Sequence, residues 1–217
     1  MSVRVAVFGA SGPTGRLIVS ELLARGDTVV AYARRPERLG PPRERLEIVA
    51  GELTDAPAIA RALAGADAVA SALGPHGRSP GLPIAAGVRA IVWAMGEAGV
   101  RRIVQVSTAS APDPLDRPDF RQRLLVSAVR TLVPTAYREV VAIADILRAS
   151  DLEWTLVRVP LLRTTHRPPR ELRVGYPGRD DIRFAVSRES LARFVADEIG
   201  SRRYVRQAPM VCDRPTG

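Results

Sequence analysis

The chain has 217 residues, 46% of them hydrophobic, with 32 basic against 23 acidic side chains and a net charge of +9. That length and apolar content suit one α/β domain over residues 1–217 with a core of its own, and the single cysteine, Cys212, excludes an internal disulfide and a four-ligand zinc site of the usual kind. All 32 basic residues are arginine, which excludes Schiff-base lysine chemistry, a phosphate-loop lysine and the Tyr-x-x-x-Lys catalytic pair.

A buried strand is predicted over residues 3–8, and it runs straight into Gly9-Ala10-Ser11-Gly12-Pro13-Thr14-Gly15. A helix follows over 14–25, with Ile18 and Leu22 on its apolar face and Gly26 as its stop. Strand, glycine turn and helix in this order form the context that a dinucleotide pyrophosphate requires. Gly9 allows the tight turn, Gly12 lets backbone approach phosphate, and Gly15 lets the helix pack against the sheet. Ala10, Ser11, Pro13 and Thr14 complete the predicted cofactor loop, and the helix start offers free N–H groups to the anion.

Strand 2 is predicted over 28–33 and ends in Tyr32-Ala-Arg34-Arg35-Pro36, with Arg38 beyond. Sites that prefer NAD place a carboxylate here for the ribose 2′-hydroxyl. Guanidinium groups suit a 2′-phosphate instead, so NADP(H) is the expected cofactor, with Arg34 first among the candidates, then Arg38, then Arg35. Strand 3 is predicted over 46–49. Glu52 and Leu53 after it can receive the adenine, the carboxylate accepting from its amine and the leucine covering its ring. The competing reading is a solvated turn with a helix cap from Thr54 or Asp55.

A helix over 56–64, a strand over 68–72 and a helix over 84–98 are expected next, with Ala72, Leu73 and Gly74 lining the cofactor's ribose side. Strand 5 is predicted over 102–106. Helices follow over 120–132 and 135–149, separated by Pro134. Strand 6 is expected over 154–157, an irregular stretch over 160–170, a short strand over 183–186, a helix over 190–199 and a last strand over 205–211. This alternation predicts a Rossmann-type doubly wound parallel sheet of order 3-2-1-4-5-6, with a possible seventh strand and ligand over the carboxyl ends of strands 1 and 4. Residues from about 158 to 217 are expected to complete the substrate side of the cleft.

The quoted segments, together with Gly99-Val-Arg-Arg-Ile-Val-Gln-Val-Ser-Thr-Ala109 and Leu147-Arg-Ala-Ser-Asp-Leu-Glu-Trp-Thr-Leu-Val-Arg-Val-Pro160, resemble the atypical short-chain dehydrogenase/reductases. The resemblance covers nearly the whole chain. It is closest to the NAD(P)H-binding group that contains flavin reductase (biliverdin-IXβ reductase) and the NmrA-like proteins. It implies that Val106 at the end of strand 5, and Pro160 and Leu161 after strand 6, stand next to the nicotinamide. Two positions depart from the pattern: Glu52 replaces the usual Asp, and Leu161 stands where flavin-reductase-like members often carry histidine. His166 and His76 are the histidines that could reach the cleft.

Ser107, Thr108 and Tyr137 are the candidate catalytic hydroxyls. Ser107 and Thr108 occupy the strand-5 end, where a hydroxyl can polarise a carbonyl, bond the nicotinamide, or simply cap the loop. Tyr137 resembles the tyrosine of Tyr-x-x-x-Lys, but position 141 is valine. Without a cation beside it, its phenol is a poor general base at neutral pH. The expected function is therefore reduction of a flavin, quinone or similar planar acceptor by NADPH. The alternative is an NmrA-like NADP-binding sensor without turnover.

Acceptor recognition is expected from the arginine-rich segments 74–83, 109–123 and 161–176. Scattered arginines with acidic neighbours do not form a nucleic-acid patch. The short apolar run at residues 3–8 is not read as a signal peptide, and no segment reaches the length of a membrane span, so a cytoplasmic monomer or homodimer with no membrane partner is expected.

Overall fold

The structure is a computed structural model that describes residues 2–41, 43–75, 82–165, 167–182 and 185–214. The first half alternates strand and helix: β1 (Arg4–Phe8), α1 (Pro13–Ala24), β2 (Thr28–Ala33), β3 (Leu46–Ala50), α2 (Ala56–Leu63), β4 (Ala68–Ser71) and α3 (Pro83–Glu97). Then come β5 (Arg102–Thr108), α4 (Phe120–Leu132), α5 (Pro134–Arg148), β6 (Glu153–Val159), β7 (Leu161–Arg163), β8 (Leu172–Gly175), β9 (Ala185–Ser187), α6 (Arg188–Ser201) and β10 (Met210–Asp213). Proline opens α1, α3 and α5, where its fixed φ suits the first turn and its missing N–H leaves no bond unmade.

Eight strands form one sheet in the order β3-β2-β1-β4-β5-β6-β10-β8. The 3-2-1-4-5-6 order expected from the sequence is present, and β10 is the seventh strand, parallel to β6. An eighth strand, β8, was not expected; it runs antiparallel to β10 at the edge. Its four residues carry too little alternation to be read against the surrounding arginines and prolines. The stretch expected to be irregular also contains β7, which pairs in parallel with β9 in a separate two-stranded sheet. Substrate segment 161–176 is therefore partly ladder rather than loop.

Two apolar layers sandwich the large sheet. Ile18 and Leu22 of α1 and Leu191 and Val195 of α6 pack on one face with Val5, Val7 and Val29. Ile59 of α2, Ile91 of α3 and Ile143 of α5 pack on the other with Phe8, Val30 and Ile103. Strands covered on both faces read as continuous apolar runs, as β1 and β2 do. Among the described residues, no helix is long and apolar enough to cross a membrane.

Two buried arginines tie distant elements together. Arg102 of β5 and Glu198 of α6 are 4% and 2% exposed and meet at 2.9 Å. Arg102 also donates to Thr155 Oγ1 and to the Glu153 carbonyl. Burial lowers the Arg102 pKa, and the Glu198 carboxylate opposes that shift. Arg158 of β6 is fully buried and holds Asp116 through both terminal guanidinium nitrogens, at 2.6 and 2.7 Å. It also donates to the carbonyls of Ala111 and Ala208 and lies over the Tyr176 ring.

Candidate functional site

The sheet register aligns Phe8, Tyr32, Val49, Ser71, Gln105 and Leu156 in one row across six strands. The predicted site residues other than Tyr137, which lies on α5, follow at or beyond this row on the carboxyl side. In a doubly wound sheet the crevice lies there, where the chain order reverses between β1 and β4.

Gly9 turns at the end of β1 with φ +75, a region side chains rarely adopt. A Cβ there would stand 3.1 Å from the Ala72 carbonyl carbon, so the turn touches the end of β4. A Cβ on Gly15 would fall 2.1 Å from the Gly9 oxygen. Only glycine lets the first turn of α1 sit this close to the strand end. Gly12 differs: a Cβ there would meet only the Gly9 oxygen, at 3.3 Å. No side chain caps α1, and its first turn holds no acid. Ala10 is buried, Ser11 and Thr14 are half-buried, and Pro13 is exposed at the helix start. The turn thus presents N–H groups that no side chain caps, a donor set that fits a pyrophosphate.

Arg34, Arg35 and Arg38 follow β2, all exposed, and form no ion pair among the described residues. The chain between them enters a short 3-10 turn, Pro36–Leu39. Tyr32 is buried against Phe8, ring centroids 5.0 Å apart, and donates its hydroxyl to the Glu52 carbonyl at 2.6 Å. A Cβ on Gly51 would stand 2.3 Å from that hydroxyl, so glycine makes room for it. Tyr32 thereby fixes the backbone that carries Glu52, which is exposed, and Leu53, which packs into the gap left by Gly87 of α3. Asp55 caps α2 by accepting from Ala58 N at 2.9 Å, so the capping reading of this turn holds for Asp55.

Burial, with Asp55 and Glu52 adding to it against Arg61, pushes the Tyr32 phenol up from 10 to about 12. An unfolded tyrosine ionises near pH 10 whereas the folded one holds its proton until about pH 12, so stability is lost as pH rises through that window. Tyr32→Phe is expected to cost about 1 kcal/mol at neutral pH through the lost hydrogen bond. It is also expected to flatten the alkaline decline, apart from the share of Tyr176, whose pKa burial also raises. Urea midpoints measured across pH for both proteins check this.

Beyond β4, Ala72, Leu73 and Gly74 are half-buried, and a Cβ on Gly74 would meet nothing within 4 Å. The Leu73 carbonyl accepts from Gln105 Nε2 at 2.9 Å. Gln105 was not singled out in the sequence. It is fully buried, clamps the β4 end to β5, and leaves its Oε1 without a partner among the described residues.

β5 extends to Thr108, so Ser107 and Thr108 are its last two residues rather than the loop after it. They pair in register with Arg158 and Val159 of β6, next to Pro160 and Leu161, with Val106 half-buried just before. Thr108 bonds Ser110 at 2.6 Å, which serves the loop; Ser107 is buried and its hydroxyl makes no hydrogen bond among the described residues. Tyr137 lies half-buried on the first turns of α5, with no hydroxyl partner among those residues and no hydrogen bond to Ser107. Leu161 is exposed. His76 and His166 lie outside the described residues.

Glu139, two positions beyond Tyr137, is another residue the sequence did not single out. Its buried carboxylate accepts from Ile84 N at 3.0 Å and Ala85 N at 2.6 Å, satisfying the start of α3 from α5. Helical spacing places it on the same face as Val140 and Ile143, an unusual seat for a charge and the one signal of its role.

Several proteins are similar to this chain. A reductase of Streptomyces griseus, named for a (4-alkanoyl-5-oxo-2,5-dihydrofuran-3-yl)methyl phosphate, is 36% identical over 129 residues, 58% of this chain and 43% of that protein. Uncharacterised Mycobacterium proteins are 36% identical over 110 residues, and the chain spans only 12% of their length. In fold it matches a short-chain dehydrogenase/reductase of Veillonella parvula in complex with NADP, with TM-score 0.80, 19% identity, and 100% and 97% of the two chains covered. It also matches the anaerobilin reductase ChuY of Escherichia coli O157:H7, with TM-score 0.77, 17% identity, and 99% and 98% covered. Residues 9–202 match the family described as NAD(P)H-binding. With the glycine turn at the β1–β4 crevice, this chain belongs to that NAD(P)H-binding family.

Proposed function

We propose that this protein is an NADPH-dependent reductase of a flavin, quinone or similar planar, conjugated small molecule. The observation that carries the reading is a glycine turn in which a Cβ on Gly12 would meet only the Gly9 oxygen among the described residues, joined to exposed arginines that form no ion pair among those residues, after β2 where a carboxylate would select NAD. Gly9, Ala10, Ser11, Gly12, Pro13, Thr14 and Gly15 hold the pyrophosphate, and Arg34, Arg35 and Arg38 the 2′-phosphate. Glu52 and Leu53 receive the adenine. Ala72, Leu73, Gly74, Val106, Pro160 and Leu161 line the path to the nicotinamide.

Bound NADPH supplies the hydride. The chain's own task is to orient the acceptor and stabilise charge that develops on it. Ser107, buried and with no hydroxyl partner among the described residues, donates to an acceptor oxygen or nitrogen. Thr108 shapes the loop through Ser110, and Tyr137 is a further donor. Val141 stands where a lysine would activate Tyr137, so acceptors that take their proton from water suit this site better than simple ketones. The reductases among the similar proteins support the reaction class.

Steady-state NADPH oxidation with flavin, quinone, tetrapyrrole and conjugated enone acceptors tests the reading. Turnover with one class supports it; NADPH binding with no turnover on any of them favours a cofactor sensor. The cofactor preference has its own test. Arg34→Asp is expected to weaken NADPH about 10- to 100-fold, the value of one or two charge-assisted bonds, and to leave NADH nearly unchanged. Equal losses for both cofactors would remove Arg34 from the 2′-phosphate.

A further inference from the structure

α4 buries none of its 13 residues, while each of the other five helices buries at least four. Its inner side rests on half-buried Gln122, Leu125, Val126 and Val129. Its outer side carries Phe120 at 80% exposure, Leu124 at 61% and Leu132 at 72%, with Val133 exposed just beyond. At about 100° per residue, Phe120, Leu124 and Ala128 fall within about 80° of one another, and Leu132, in the last turn, stands about 120° round from Phe120. Arg121 flanks this stripe on one side and Arg123 and Arg130 on the other.

The charges near the stripe are one-sided. Arg121, Arg123 and Arg130 form no ion pair among the described residues, and α4 itself holds no acid. The nearby carboxylates have other partners: Asp119 accepts from Gln122 N at the start of α4, Asp116 is clamped by Arg158, Asp113 meets Arg148, and Asp180 and Asp181, which line a pocket together with Arg121, respectively accept from Tyr176 N and pair with Arg173. The exposed face therefore combines bulky apolar side chains with guanidinium groups that form no ion pair among the described residues. Two copies of it brought together across a two-fold axis would set arginine against arginine. Thirteen residues rise only about 20 Å, too short to span a bilayer but suited to lie along one.

We propose that α4 docks this protein on an anionic lipid surface. Phe120, Leu124 and Leu132 enter the boundary between headgroups and acyl chains, and Arg121, Arg123 and Arg130 reach lipid phosphates along their flexible stems. No segment of the sequence has the length of a membrane span, which is why no membrane partner is expected from it. The structure adds a surface helix left uncovered. Gln122 Nε2 donates to the Ala109 carbonyl, next to the ends of β5 and β6, so the docked helix adjoins the mouth of the candidate site.

Flotation of the full chain with vesicles tests this directly. Wild-type protein is expected to float with vesicles of phosphatidylcholine and phosphatidylglycerol, to stay behind with phosphatidylcholine alone, and to be released by salt. Phe120→Glu with Leu124→Glu is expected to abolish flotation. Replacing Arg121, Arg123 and Arg130 by Gln is expected to lower vesicle affinity about a hundredfold, a factor of about five per arginine. Both variants change only exposed side chains, and circular dichroism with NADPH titration verifies that each is folded. Failure of the wild type to float, or flotation unchanged by both sets of substitutions, overturns the proposal. Self-association in the absence of lipid that depends on Phe120 and Leu124 also overturns it, by assigning the face to a second copy.

Discussion

Replacing Gly12 by valine is expected to give a folded protein whose affinity for NADPH is lower by at least about a hundredfold. The backbone at Gly12 is extended, with φ −75 and ψ 164, which valine adopts without strain. Among the described residues a Cβ meets only the Gly9 oxygen, at 3.3 Å, a contact that requires the carbonyl to give by a few tenths of an ångström. The branched side chain then fills the space above the turn, where the proposed site would bring a pyrophosphate to the uncapped start of α1. Losing two charge-assisted bonds to a phosphate accounts for the factor. Gly15→Val is the contrast, because its Cβ falls 2.1 Å from the Gly9 oxygen and must push the helix off the sheet. NADPH fluorescence titration beside a thermal melt separates the two: Gly12→Val loses binding with its melt preserved, whereas Gly15→Val loses both. Wild-type affinity in Gly12→Val would remove the turn from the cofactor site.

Glu198→Ala is expected to destabilise the fold by about 3–5 kcal/mol, the cost of leaving one member of a buried ion pair alone. Glu198 Oε1 takes bonds from Arg102, Tyr204 N and Thr155 Oγ1, and its Oε2 takes one from Ser201. Alanine leaves the Arg102 charge 4% exposed without a counterion and strands the Tyr204 amide. Arg102 Nε already lacks a partner among the described residues; its terminal nitrogens keep the carbonyls of Glu153 and of residue 198, which hold the group in place without neutralising its charge. Replacing both partners, Arg102→Met with Glu198→Leu, is expected to recover much of the loss because no unpaired charge remains buried. Urea denaturation of the three variants measures this. A loss below about 1 kcal/mol in Glu198→Ala would mean that water reaches the pair.

The parts of the fold that were legible in the sequence are local. Strand β1, the glycine turn and α1 occupy adjacent positions, and period and spacing alone describe them. The arginines after β2 were equally plain, since an expected acid was missing at a known place. What stayed hidden depends on partners far along the chain. Arg102 and Glu198 are 96 residues apart, and Glu139 caps a helix start 54 and 55 residues before it. β8 exists through its ladder to β10, and β7 through β9; neither four residues nor three carry enough alternation to announce a strand. Gln105 read as one polar residue in an apolar strand, and only the register reveals that it reaches the end of β4. α4 was predicted with its bounds correct, but period cannot tell a helix face that is covered from one that is not.

The most direct measurement is a single turnover: anaerobic mixing of NADPH-loaded protein with a flavin or quinone acceptor, following cofactor fluorescence and reduced acceptor together. A reductase predicts that the two signals change in equal amounts in wild-type protein and that neither changes beyond the background reaction in Gly12→Val. Tight NADPH binding in the wild type with fluorescence unchanged by every acceptor would contradict it, and would assign the site to cofactor sensing.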